Sequence, residues 1–130
     1  MDEIAREREV VLVVDDSADN LALLSSLLKG TYRVKVATSG AKGLEIAASA
    51  APDLILLDVM MPGLDGYETC RRLKRDPRTS AVPVIFLSAK GDPSDEEAGR
   101  EAGAAAYLVK PPDPELLLES VRDHLRRGRP

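Results

Sequence analysis

Polar residues able to take part in chemistry follow four short apolar runs of the chain. The runs are Val10–Val14, Leu54–Leu57, Val84–Leu87 and Ala105–Val109. The residues that follow them are Asp15 and Asp16, then Asp58, then Ser88, and finally Lys110. A run of four or five apolar residues rich in branched side chains is typical of a buried strand. The sequence therefore predicts that these polar groups meet at one edge of a sheet.

Three carboxylates, a hydroxyl and an ammonium in one hollow favour chemistry on a phosphoryl group. Converging carboxylates repel one another unless they hold protons or surround a cation, and a hard divalent ion such as Mg²⁺ prefers oxygen ligands. Lys110 can pair with Asp58 at rest and with a phosphoryl oxygen afterwards, while the Ser88 hydroxyl can donate to another phosphoryl oxygen. Asp58 stands alone at the end of the central strand, so it is the candidate nucleophile.

Each of these residues also has an ordinary structural explanation. A single aspartate at a strand end is more often a turn or helix-cap residue than a nucleophile. The hypothesis of a site therefore depends on all five residues falling at the same edge. Among the other candidates, we interpret Tyr107 as a half-buried residue at the sheet edge, Cys70 as a core residue, and His124 as a solvated helix residue.

The segments between the apolar runs carry the spacing of amphipathic helices. Three helices are predicted from about Ala18 to Lys29, after a cap at Thr38 or Ser39, and through Tyr67, Cys70 and Leu73. A fourth is predicted from about Pro93 to Ala102, and Asp113 caps a last helix with Pro114 at its first position. Tyr32–Ala37 alternates as a further strand. Crossovers of this length join parallel strands, so we expect an α/β fold with a five-stranded parallel sheet and helices on both faces.

Composition restricts the possible functions. The 130 residues carry 18 Lys and Arg against 22 Asp and Glu, a net charge of −4, which argues against general nucleic acid binding. One cysteine and one histidine exclude a disulfide framework and a zinc site built on these residues, and they argue against a Ser-His-Asp triad. The charged start of the chain is no signal peptide, and no apolar run approaches the roughly 18 residues of a membrane span. The expected compartment is the cytoplasm.

The chain resembles the receiver domains of bacterial two-component response regulators, of the chemotaxis-receiver type, from about Val10 to Leu125. The motifs are Val-Val-Asp-Asp at 13–16, Leu-Leu-Asp-Val-Met-Met-Pro-Gly-Leu-Asp-Gly at 56–66, Val-Ile-Phe-Leu-Ser-Ala at 84–89 and Tyr-Leu-Val-Lys-Pro at 107–111. The four motifs together are specific for this family, although no single one of them would be. We therefore expect residues 1–130 to be a single receiver domain, with 126–130 a basic tail or severed linker, and either a stand-alone protein or part of a longer regulator.

The resemblance implies a flavodoxin-like fold with strand order 2-1-3-4-5 and a role for each site residue. Asp58 would accept a phosphoryl group from a phosphohistidine. Mg²⁺, with Mn²⁺ as the alternative ion, would be bound by Asp16, Asp58 and the backbone carbonyl of Met60, with Asp15 acting mainly through a water. Ser88 and Tyr107 would form a switch pair, and the Lys110–Pro111 peptide bond would be cis.

The partners implied by the resemblance are proteins. A sensor histidine kinase or phosphotransfer protein would donate the phosphoryl group, and a downstream effector or fused output domain would respond to the face formed by helix four, strand five and helix five. Neither membrane nor nucleic acid contact by this domain is expected. The domain would catalyse only its own modification, so it is not expected to be an enzyme in the usual sense.

Three alternatives differ in chemistry. A haloacid-dehalogenase-like phosphatase also uses a strand-end aspartate, a lysine and Mg²⁺, but it needs a second acid two residues after the nucleophile, where this chain has Met60. A flavin-binding module would need a glycine- and hydroxyl-rich phosphate loop after strand one, where Asp15 and Asp16 would repel the phosphate. A receiver that acts without phosphorylation, as a constitutive interaction module, is the third.

Overall fold

The computed structural model describes residues 8–89 and 91–127, and within these ranges five strands alternate with five helices. The strands are β1 (Val10–Val14), β2 (Arg33–Ala37), β3 (Leu54–Asp58), β4 (Val84–Ser88) and β5 (Ala106–Val109). The helices are α1 (Ala18–Leu28), α2 (Gly40–Ser49), α3 (Gly66–Arg75), α4 (Pro93–Glu101) and α5 (Pro114–Arg127). The charged start of the chain and the end of the predicted basic tail lie outside the described residues.

All five strands are parallel and follow the order β2-β1-β3-β4-β5, as predicted. The element ends differ from the predicted ones by about one residue. β2 begins at Arg33 instead of Tyr32 because the Tyr32 backbone N–H donates to the Leu28 carbonyl at 2.9 Å and closes the end of α1. β3 and β4 extend one residue further than predicted, so that Asp58 and Ser88 are the last residues of their strands.

The sheet separates two layers of core. One face packs against α1 and α5 through aliphatic residues and Tyr32, and the other face packs against α2 and α3 and carries the aromatic rings Tyr67, Phe86 and Tyr107. Both central strands are buried along their whole length, since each residue of β3 and of β4 is covered. The carboxyl ends of these strands are therefore set on a closely packed base.

Polar side chains fix where the helices begin. The Ser39 hydroxyl accepts from the Lys42 backbone N–H at 3.1 Å, which selects Ser39 over Thr38 as the cap of α2. Asp113 Oδ1 accepts from the Glu115 backbone N–H at 2.9 Å, and Pro114 is the first residue of α5, as predicted.

The interpretation of His124 as a solvated residue is wrong. The side chain is half-buried on α5, and its Nδ1 lies 2.7 Å from the carbonyl oxygen of Ser120, one turn earlier. Cys70 is fully buried in the core, as predicted.

α5 continues through Arg127, so the first two residues of the predicted basic tail are helical. Among the helices of the described ranges, none is long and apolar enough to cross a membrane.

Candidate functional site

Three carboxylates meet at the carboxyl ends of the neighbouring strands β1 and β3. One oxygen each from Asp15, Asp16 and Asp58 lies within 4.8 Å of the others. Asp15 is 1% exposed and Asp58 is 7% exposed, whereas Asp16 is open to solvent. We call this set of three residues the acidic pocket. The structure brings together the carboxylates that the strand ends predicted.

The turn from β1 into α1 holds Asp15 in place. The Asp15 backbone N–H donates to the Ala37 carbonyl of β2 at 3.1 Å. Its side chain accepts from the Ser17 backbone N–H at 2.9 Å and from the side-chain amide of Asn20 at 3.3 Å. Asn20 was not among the predicted site residues. Its place in the first turn of α1, one turn after the strand-end acids, was the available signal.

A glycine fixes the loop that follows Asp58. A Cβ atom at Gly66 would overlap the Asp58 carbonyl oxygen and would lie 2.7 Å from the Val59 Cα. The Gly66 backbone N–H donates to the Val59 carbonyl at 2.9 Å, so the start of α3 rests directly against the end of β3. The Met60 backbone N–H donates to Asp58 Oδ1 at 3.4 Å. Close approach of backbone to backbone therefore sets the direction of the Asp58 side chain.

Lys110 completes the acidic pocket from the far edge of the sheet. Its Nζ lies 2.7 Å from Asp15 Oδ2 and 3.3 Å from Asp58 Oδ1, and the side chain is only 17% exposed. The Lys110 backbone N–H donates to the Ser88 carbonyl at 2.7 Å, and the peptide bond to Pro111 is cis, as the resemblance implied. The predicted pairing with Asp58 is present. The shorter contact with Asp15 was not predicted.

The charges of the acidic pocket do not balance among the residues that the structure describes. Within residues 8–89 and 91–127, one ammonium group faces three carboxylates. Burial raises the pKa of Asp58 above its ordinary value, Lys110 acts in the opposite direction, and the nearby Asp15 raises the pKa further. The pocket thus retains excess negative charge when all three carboxylates are ionised, which favours occupation by a cation.

Ser88 and Tyr107 lie on the sheet face that carries the aromatic rings. Ser88 is fully buried at the end of β4 and pairs with Val109 in the sheet register. Tyr107 pairs with Phe86, and the two ring centroids are 6.1 Å apart. Tyr107 is half-buried, as predicted, and its ring packs against the core. The predicted switch pair therefore occupies adjacent strands on one face, two register positions apart.

Sequence reasoning placed Tyr67 only in the apolar stripe of α3. In the structure, its ring meets Phe86 edge to face, with centroids 5.3 Å apart, and its hydroxyl donates to the Asp95 carbonyl of α4 at 3.3 Å. No local signal distinguishes this tyrosine from an ordinary core aromatic, because its partner is 28 residues further along the chain.

An apolar crevice of about 310 Å³ opens beside Lys110. It lies between the start of α1 and the loop after β5, and its lining residues are Asn20, Leu23, Leu24, Leu87, Ala89, Lys110, Pro111 and Pro112. Leu23 is 50% exposed and contributes apolar surface to this crevice.

A doubly wound parallel sheet with an acidic pocket and a lysine at its carboxyl edge defines a class of α/β signalling domain, and the comparisons with known proteins identify the family. The response regulator receiver domain family matches residues 11–122. The chain therefore belongs to the receiver domains of response regulators. The phosphatase alternative finds no support among the matches.

Three relatives illustrate the match. A probable cyclic di-GMP phosphodiesterase of Vibrio cholerae is 46% identical over 119 residues, which are 92% of this chain and 27% of that protein. Protein PilH of Pseudomonas aeruginosa is 39% identical over 85% of this chain and 93% of its own length. The crystal structure of a putative response regulator from Chloroflexus aurantiacus is 39% identical, covers 92% of this chain and 99% of its own, and superposes with a TM-score of 0.86.

This chain matches a different fraction of the length of each curated relative. The chain spans about a quarter of the Vibrio cholerae protein and about half of a Streptomyces coelicolor regulator. The phosphodiesterase name therefore describes a protein nearly four times as long as the matched region, and it does not extend to this chain. What the family match supports for this chain is a receiver domain.

Proposed function

We propose that Asp58 accepts a phosphoryl group from a phosphohistidine of a sensor histidine kinase or phosphotransfer protein. The observation that carries this proposal is the position of the Lys110 ammonium, 2.7 Å from Asp15 and 3.3 Å from Asp58. A cation held this close to both buried carboxylates is also close to any group attached to Asp58. Membership of the receiver family supports the same chemistry.

In the proposed transfer, a carboxylate oxygen of Asp58 attacks phosphorus in line with the bond that breaks. The new bond is P–O, the broken bond is the N–P bond of the phosphohistidine, and its electron pair leaves with the imidazole, which takes a proton from water. Lys110 is placed to pair with one oxygen of the moving phosphoryl group, and the Ser88 hydroxyl is the proposed donor to another. The domain contributes position and charge to its own modification.

The donor set of the acidic pocket suits Mg²⁺. Carboxylate oxygens are the ligands that Mg²⁺ takes in proteins, their spacing permits a shared ion, and one of the three is open to solvent. Asp16, Asp58 and the backbone carbonyl of Met60 are the proposed direct ligands, with Asp15 acting through water. Bound there, Mg²⁺ would supply positive charge to the oxygens of the phosphoryl group.

Ser88 and Tyr107 are the proposed switch. A phosphoryl group on Asp58 draws the Ser88 hydroxyl towards it, and the ring of Tyr107 responds on the same face of the sheet. The surface formed by α4, β5 and α5 then changes, and a downstream effector or fused output domain reads that change. With the chain's net charge of −4, we propose a protein and not a nucleic acid as the direct partner of this domain.

The apolar crevice beside Lys110 is the proposed contact for the phosphoryl donor. A partner must bring its histidine to the acidic pocket, and the exposed Leu23 offers apolar surface at that rim. Apolar contact next to a charged site aligns the two proteins before the chemistry takes place.

The proposed function is tested by treating the protein with acetyl phosphate and Mg²⁺ and measuring its intact mass. Wild type should gain the mass of one phosphoryl group, and Asp58→Asn should gain none because the nucleophilic oxygen is lost. Asp123→Asn, which alters an exposed aspartate on α5, is the matched control and should react like wild type. Labelling that persists in Asp58→Asn, or that fails in wild type, overturns the assignment.

A further inference from the structure

Helix α4 is attached to the sheet in an unusual way. Its sequence, Pro-Ser-Asp-Glu-Glu-Ala-Gly-Arg-Glu, contains no aliphatic side chain larger than alanine apart from the exposed Pro93, and its buried residue is Gly99. The other positions of α4 are half-buried or exposed. Burial of apolar side chains therefore contributes little to holding this helix in place.

The backbone of α4 rests on two aromatic rings. A Cβ atom at Gly99 would lie 3.1 Å from Phe86 and 3.1 Å from Tyr107, so only glycine lets the helix come this close without displacing a ring. Phe86 is fully buried, whereas Tyr107 is half-buried and therefore the less confined of the two rings. The position of Tyr107 and the position of α4 are thus linked by direct contact.

A side chain of α3 supplies a second attachment. The Tyr67 ring meets Phe86 at an interplanar angle of 63°, and from that position its hydroxyl donates to the Asp95 carbonyl in the first turn of α4 at 3.3 Å. Burial, followed by a hydrogen bond with the side chain of Tyr107, raises the pKa of Tyr67 to about 12. The hydroxyl accordingly keeps its proton, and its capacity to donate, throughout the physiological range.

We propose that Tyr67 is a positioning residue that couples Tyr107 to the first turn of α4. Its hydroxyl is bonded to the Asp95 carbonyl, its ring shares the contact with Phe86 that the Tyr107 ring also makes, and Gly99 one turn later rests on the Tyr107 ring. A movement of Tyr107 therefore changes both attachments of α4 together. The role of Tyr107 as a switch is part of the proposed function, so the coupling through Tyr67 rests on the proposed function. The attachment of α4 by the Tyr67 hydroxyl is independent of that function.

The competing explanation is that Tyr67 is a core aromatic whose ring alone matters. Tyr67→Phe separates the two explanations because it keeps the ring on Phe86 and removes only the hydroxyl. Tyr32→Phe is the matched control, since Tyr32 is also a buried tyrosine but belongs to the core layer on the opposite face of the sheet.

The first measurement is amide hydrogen exchange of the unmodified protein. In Tyr67→Phe, the amides of α4 should exchange about 2- to 10-fold faster than in wild type, the factor that one net hydrogen bond provides. The amides of α5 should be unchanged, and Tyr32→Phe should leave α4 at the wild-type rate. Equal α4 exchange in Tyr67→Phe and wild type, or the same acceleration in Tyr32→Phe, overturns the proposal.

The second measurement uses beryllium fluoride with Mg²⁺, a mimic of the phosphoryl group, and follows backbone amide chemical shifts. In wild type, addition of the mimic should shift the signals of Tyr107 and of α4. In Tyr67→Phe, the Tyr107 signal should still shift while the α4 shifts fall by half or more, a decoupling that a purely structural role would not produce. Undiminished α4 shifts in this variant contradict the coupling.

The two proposals fail in different ways. If wild type shows no response to the mimic and no labelling by acetyl phosphate, the proposed function and the coupling both fail, but the exchange comparison still decides whether the Tyr67 hydroxyl holds α4. If wild type responds and Tyr67→Phe responds identically at α4, the function stands and Tyr67 has no positioning role.

Discussion

The helices α4 and α5 follow the last two strands of the sheet, β4 and β5, but are held by opposite means. α5 buries Leu117, Val121 and Leu125, spaced by four residues, against the sheet. α4 buries a glycine and is held by ring contacts and the Tyr67 hydroxyl. Burial of a leucine contributes about 1.5–3 kcal/mol, whereas a net hydrogen bond contributes about 0.5–1.5 kcal/mol. α5 is therefore part of the scaffold, and α4 can be displaced at low cost.

The largest expected effect is on α5. Leu117→Ala should lower the free energy of unfolding by about 2–5 kcal/mol, because it removes a fully buried side chain and leaves a cavity. Glu97→Ala on α4 removes an exposed ion pair with Arg100 and should cost less than about 1 kcal/mol. Denaturant unfolding followed by circular dichroism measures both. Equal losses in the two variants would contradict the distinction between the helices.

An intermediate effect is expected where α4 touches the rings. Gly99→Leu places atoms against Phe86 and Tyr107, so α4 should lift and the protein should lose about 1–3 kcal/mol. Hydrogen exchange should accelerate in α4 and remain unchanged in α5. Gly30→Leu is the control, because a side chain at Gly30 meets nothing within 4 Å. Acceleration that spreads over the whole sheet would mean that α4 is not an independent unit.

The smallest effect is expected at Cys70 on α3, a helix that, like α5, is held to the core by buried side chains. Cys70 is fully buried, so its reaction with iodoacetamide in native buffer should be slow and should be unchanged by Gly99→Leu at matched stability. A faster reaction in Gly99→Leu would show that α3 opens together with α4.

Alkaline pH offers a second measurement on Cys70. Burial raises the pKa of its thiol to about 11 from 9.0. The thiol loses its proton at a lower pH in the unfolded chain than in the folded protein. The free energy of unfolding should therefore fall as pH rises from about 9 towards 11. Cys70→Ala should reduce that slope, measured by urea unfolding at several pH values. A slope that is unchanged in this variant would assign the loss to other groups.

Much of the fold follows from local pattern. The apolar runs and their abrupt polar ends locate the strands to within a residue, and Ser39 or Asp113 mark helix starts because capping is decided by neighbours in the chain. Parallel pairing then brings Asp15 and Asp58 to one edge without further information. The acidic pocket was predictable for this reason, since it needs only the direction of the strands.

Contacts that depend on exact packing were not predictable. The 2.7 Å pair between Lys110 and Asp15 joins residues 95 positions apart, and it depends on the length and direction of one lysine side chain. The bond from Tyr67 to Asp95 depends on how closely α4 approaches, which Gly99 determines and hydrophobic periodicity does not describe. The half-burial of His124 was missed because the position of its ring on α5, with Nδ1 2.7 Å from the Ser120 carbonyl oxygen, is not described by hydrophobic periodicity.

The complete burial of β3 has a mechanical consequence. All five residues of the strand are covered, with β1 and β4 bonded on either side. A closely packed interior has little compressibility, so a strand in this position cannot shift without opening voids. Under the proposed function, we therefore expect the strain created by a phosphoryl group on Asp58 to be relieved away from β3, at the weakly attached helix α4.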